Sequence, residues 1–109
     1  MNLNWAIYLG WDITPMFQRV VPYTQKNSET VTVTFQDKTY DVPIKSIRII
    51  DAPEYVYGEI VSPVNHPKLL GAIADIVFYF KTNEPSYWII INGKKKSKRY
   101  FKNDLIRRS

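Results

Sequence analysis

The residues with the most chemistry to offer lie together at the end of the chain. Lys94, Lys95, Lys96, Lys98, Arg99, Lys102, Arg107 and Arg108 fall after Gly93, and only Asp104 opposes them, so this strip carries about +7. The preceding stretch holds seven basic and nine acidic residues, about −2. The formal +5 and pI near 9.5 therefore describe a mildly acidic body joined to a basic strip. A clustered positive field attracts polyanions far more than the same charge spread evenly. Arginine forks contact phosphate bidentately, and lysines act as point charges. Tyr87, before the strip, and Tyr100, within it, are candidates to stack on bases. The blander reading is that lysines at a hairpin tip protect an edge strand or solubilise a terminus.

Elsewhere the chemistry is sparse. The chain has no cysteine and one histidine, His66, in the loop-like Pro63-Val-Asn-His-Pro67. That excludes a disulfide scaffold, a thiolate zinc site and any site needing two histidines. The glycines stand alone at 10, 58, 71 and 93, so there is no phosphate-cradling loop. Carboxylates are scattered, Asp51 and Glu54 being a generic loop pair, and no nucleophile motif is present. The expectation is a binding protein that is not an enzyme, with no cofactor and no metal. The N-terminal residues lack a basic and apolar leader pattern. The apolar runs Ile76–Phe80 and Tyr87–Ile91 fall far short of the roughly 20 residues that span a bilayer. A cytoplasmic protein with no membrane partner is expected.

These residues must be positioned by strands. Thr30–Phe35 alternates threonine with apolar residues and reads as a half-buried strand. Gln36-Asp37-Lys38 marks a turn, and Thr39–Val42 returns, ending at Pro43. Ser46–Ile50 follows as a short strand with Arg48 inside it. Leu3–Leu9 and Pro15–Val21 read as strands. Asp51–Glu54 is a connector, Tyr55–Val61 a strand bent at Gly58, and Ser62–Gly71 a loop. Ala72–Phe80 is the longest strand, with Ala74, Ile76, Phe78 and Phe80 on one face. After a turn at Thr82–Pro85, Tyr87–Ile91 is apolar and central. Asn92-Gly93 is the strongest turn signal, and Lys94–Phe101 is the expected partner strand. A single helical turn at Asn103–Leu105 precedes a last short strand. Seven prolines break every candidate long helix.

From Tyr57 onward this order resembles the Tudor-like small barrels of the Src-homology-type (SH3-like) superfamily. The resemblance runs through Gly58-Glu-Ile-Val, Gly71-Ala-Ile-Ala-Asp-Ile, Tyr87-Trp-Ile-Ile-Ile, Asn-Gly, Tyr100-Phe and Asp104-Leu105. It implies an all-β fold in which the C-terminal half forms a small bent-strand barrel, with a β-rich N-terminal half packed against it. It also implies an aromatic cage as one mode of binding, for which Tyr57, Tyr79 and Tyr87 are candidates. The N-terminal half parallels the C-terminal one, Val31–Phe35 matching Tyr87–Ile91 and Thr39–Val42 matching Lys98–Phe101. It is either a degenerate second copy or another pair of ordinary β-hairpins. The halves divide as 1–52 and 53–109. About 50 residues is marginal for an independent core, so one fused domain is expected.

The Asn-Gly turn predicts a register of Ile91 against Lys94, Ile90 against Lys95, Ile89 against Lys96, Trp88 against Ser97, and Tyr87 against Lys98. One face then collects Ile89, Ile91, Lys94, Lys96, Lys98 and Tyr100. The other collects Trp88, Ile90, Lys95, Ser97, Arg99 and Phe101. Burying an unpaired lysine is costly, so the hairpin is expected to project with both sides wet. A projecting basic ribbon is a groove-reading geometry. Two functions follow: nucleic-acid binding through the strip, or a protein-interaction module of inhibitor, immunity or adaptor type. The latter would use the aromatic and acidic body, or strand addition at an edge. Trp5 is expected in the core and Trp11 partly exposed.

Overall fold

The computed structural model describes residues 3–108, which form ten strands and three single-turn 3-10 segments, with no α-helix among them. The strands are β1 (Asn4–Tyr8), β2 (Val20–Gln25), β3 (Thr30–Phe35), β4 (Lys38–Pro43), β5 (Ile47–Ile50), β6 (Ile60–Pro63), β7 (Gly71–Tyr79), β8 (Glu84–Ile91), β9 (Lys94–Lys95) and β10 (Leu105–Arg107). The chain divides into two compact units, the first ending at Pro53 and the second starting at Glu54. Each unit holds one antiparallel five-stranded sheet, β4-β3-β2-β1-β5 in the first and β10-β6-β7-β8-β9 in the second. Counted from its own first strand, each sheet has the same order: fifth, first, second, third, fourth. A 3-10 turn precedes the fifth strand in both, at Ile44–Ser46 and at Lys102–Asp104. Neither ladder closes on itself, so the all-β expectation holds while each sheet remains open at two edges.

In the first unit the alternation of β3 does what its residue types dictate. Val31, Val33 and Phe35 are buried, and the threonines between them face outward. They pack in one cluster with Ala6, Tyr8, Met16, Val21, Tyr23 and Val42. β3 pairs with β4 along six residues, from Thr30 with Pro43 to Phe35 with Lys38. Gln36 and Asp37 form the two-residue turn, both at positive φ (52° and 64°). The expected strand Pro15–Val21 is split. Pro15 enters a 3-10 turn at Thr14–Met16, where its fixed φ and missing N–H cost nothing, and the strand begins only at Val20.

In the second unit the buried set is Tyr55, Val61, Ile73, Ile76, Phe78, Tyr87, Ile89, Ile91 and Leu105. A bulge between Ile73 and Asp75 leaves Ala74 exposed and puts Ile73 and Ile76 both among the buried residues. The single face expected through Ala74, Ile76, Phe78 and Phe80 is therefore broken at both ends, since Phe80 lies beyond the strand and is exposed. Tyr55–Val61 is not one strand. Gly58, at φ 84°, sits in a turn, and β6 starts at Ile60. β8 begins earlier than expected, at Glu84, because Asn83 takes the positive φ that closes the β7–β8 turn.

Candidate nucleic-acid interface

The site is built on the β8–β9 hairpin. Asn92 (φ 52°) and Gly93 (φ 79°) make the two-residue turn that their types favour. Ile91 pairs with Lys94 and Ile90 with Lys95, and the Lys96 N–H donates to the Ile89 carbonyl at 2.9 Å. The predicted register then ends. Tyr87 exchanges backbone hydrogen bonds with Tyr100 (2.8 and 2.9 Å), not with Lys98. Ser97, Lys98 and Arg99 together stand opposite Trp88. The physical reason is burial. Tyr87 is 1% exposed, and an unbroken ladder would have set a lysine against it. The bulge brings an aromatic residue there and lifts the three polar residues into water.

The hairpin also does not project with both sides wet. Ile89 and Ile91 are buried, the latter almost at the turn, while every residue from Asn92 to Arg99 is exposed. One arm belongs to the core and only the returning arm is free.

The basic residues divide into two groups. Lys95 reaches the buried Asp75 at 3.1 Å. Arg107 pairs with Glu59, donates to the Glu54 carbonyl at 2.6 Å and lies over the Tyr55 ring. The Glu59 hydrogen bond raises its pKa further. These two cations fasten the strip to its sheet. Asp104 is used locally, accepting from the Phe101 N–H at 2.9 Å. Lys94, Lys96, Lys98, Lys102 and Arg108 are exposed and have no acidic partner among the described residues.

Arg99 is held differently. Its guanidinium carbon lies 4.4 Å from the ring centroid of Tyr79 and 4.9 Å from that of Trp88. Tyr79 in turn meets Phe101 edge-on at 5.3 Å. Trp88, Arg99, Tyr79 and Phe101 thus form a row. The three rings are half-buried and the guanidinium is exposed. Strand alternation puts Trp88 on the face opposite Tyr87 and Ile89, which the sequence had grouped with Arg99 and Phe101. Tyr79 was named only as a cage candidate, because its contact with Arg99 joins two segments that are not adjacent in sequence.

Two candidate stacking residues fare differently. Tyr87 is removed from the site: it is in the core, edge-on to Tyr55, and its hydroxyl accepts the Glu54 N–H at 2.9 Å. Burial raises its pKa. The proposed cage of Tyr57, Tyr79 and Tyr87 loses that member for the same reason. Tyr100 is half-buried, with the Lys98 ammonium 5.1 Å from its ring. His66 is exposed in the loop after β6. Trp5 is buried as expected, whereas Trp11 is 80% exposed and stacks on Phe17 at 4.9 Å, more open than expected. Among the described residues no group of three metal-ligating side chains converges, and no helix is long and apolar enough to cross a membrane.

The fold and strip define an all-β protein of two five-stranded antiparallel units, the second bearing a basic, aromatic-lined edge. The chain belongs to a family of unknown function (DUF6960), which matches residues 12–106 and so spans both units. No curated protein and no solved structure matches it.

Proposed function

We propose that this protein is a non-enzymatic, cytoplasmic nucleic-acid-binding module that acts through the exposed edge of its second unit. The observation that carries the reading is the set of exposed cations without an acidic partner among the described residues, Lys94, Lys96, Lys98, Lys102 and Arg108, of which Lys98 lies on the stretch released from the ladder. Lys95 and Arg107 leave the contact set and become its supports. The shared strand order, with a 3-10 turn before the fifth strand, favours reading each unit as a Tudor-like bent sheet and the pair as a duplication.

The test is binding of a labelled oligonucleotide across a salt series. Each phosphate contact on a single strand contributes about 0.7 to the slope of log K against log salt. Replacing Lys94, Lys96, Lys98 and Lys102 by glutamine should flatten that slope by about 3. An unchanged affinity and slope would refute the assignment. The protein-interaction reading would then take its place, resting on Trp11, the most exposed large aromatic of the first unit.

A further inference from the structure

We infer that the ligand of this edge is single-stranded nucleic acid, whose bases stack along the row Trp88–Arg99–Tyr79–Phe101. The inference rests on the nucleic-acid reading above and narrows it. Reading a duplex groove with a β-ribbon requires a two-stranded arm that stands clear of its domain. Here the ladder ends at Lys96, and Ile91 is buried beside the turn, so no such arm exists. A sheet face lined by half-buried rings suits unpaired bases instead, because every base has a π-face and a duplex hides it.

The guanidinium of Arg99 marks the place. It is planar, cationic and at stacking distance from two rings, yet it has no carboxylate partner among the described residues. Among the described residues its ring contacts alone hold it. A base entering beside Trp88 or Tyr79 replaces one flat partner of the ring by another. The displaced guanidinium then turns its fork to the adjacent phosphate, a stronger partner than a ring. Lys98 on the bulge and Lys102 next to Phe101 in sequence are exposed and supply charge near the row.

The experiment uses the whole chain and three probes of equal length at low salt: oligo-dT, an abasic oligomer of the same backbone, and a duplex. Oligo-dT should bind tighter than the abasic strand by roughly 5- to 100-fold per stacked base, the range that base–aromatic stacking gives. Trp88→Leu should remove the difference between oligo-dT and the abasic strand measured on that same variant, and Trp88→Phe should restore most of it. Should Trp88→Leu fail to fold, fluorescence decides. In a Trp11→Phe background, where the buried Trp5 gives a constant remainder, oligo-dT should quench the Trp88 component of the emission and the abasic strand should not. Equal affinity for oligo-dT and the abasic strand, tighter binding of the duplex, or a missing quench would overturn stacking and leave the polyanion reading standing. No binding of any probe would overturn both. An oligo-U arm shows whether RNA is preferred.

Discussion

The two units carry the same strand order and spend their fourth strand in opposite ways. In the first, β4 pairs with β3 over its full length and the exposed Asp41 is matched by Lys26 and by the Thr32 hydroxyl (2.7 Å). In the second, β9 is two residues long and the chain then leaves the ladder for three polar residues before Tyr100 rejoins it. The charge follows. The first unit holds five basic and five acidic residues, the second ten and five. The same topological position is fully paired in one unit and mostly unpaired and exposed in the other. An edge strand freed from pairing loses ladder hydrogen bonds, and its exposed cations both keep that edge from pairing and, on the function proposed above, are free for contact.

The largest effect expected from breaking this comparison is on folding. Ile89 is fully buried in β8, as Val33 is in β3. Ile89→Ala should lower stability by about 2–5 kcal/mol. Each unit is marginal in size on its own, so we expect hydrogen exchange to quicken in both sheets together. Selective loss of protection after Glu54, with the first unit unaffected, would show that the two are independent domains.

The turns sharpen the comparison at a smaller scale. Both third-to-fourth connections need positive φ at two residues, yet the first unit supplies Gln36-Asp37 and the second Asn92-Gly93. A left-handed residue other than glycine costs roughly 1 kcal/mol, less for aspartate and asparagine. Asp37→Gly should therefore stabilise the chain by a few tenths to about 1 kcal/mol, and Gly93→Ala should destabilise it by about 1 kcal/mol. Urea denaturation of the two variants checks the signs. Stabilisation by both, or by neither, would mean that the turns do not limit their hairpins.

Much of this was legible in the residues. β3, its turn and β4 were readable because threonine and apolar residues alternate without interruption and Pro43 ends the run. The Asn-Gly turn and the 3-10 turn before β10 were equally plain. What escaped was each place where an extra residue enters a ladder. Nothing local marks Ala74 as a bulge, and Ser97–Arg99 look like strand until one asks what Lys98 would face. The answer, a buried Tyr87, is a tertiary fact. Hence the segment that carries the charge was legible, while the ion pairs of Lys95 and Arg107 and the contact of Arg99 with Tyr79 emerged only from the tertiary structure.

The smallest expected difference is in pH response, and it has opposite signs in the two units. Asp41 in the first unit has its pKa held below the ordinary value, chiefly by the hydrogen bond from Lys26 and then by that from Thr32. A carboxylate lowered in this way stabilises the fold above the unfolded pKa, near 4, and the contribution fades as pH falls through the folded value. In the second unit burial raises the phenols of Tyr55 and Tyr87 above their ordinary value of 10.0. Their stabilisation is complete below pH 10 and is lost as pH climbs from there, since the unfolded chain ionises first. Asp41→Asn should blunt the acid limb of a stability–pH curve and leave the alkaline one. Tyr87→Phe should do the reverse, at the cost of the hydrogen bond from Glu54. If both variants blunt the same limb, the pairing of acid response with the first unit and alkaline response with the second is wrong.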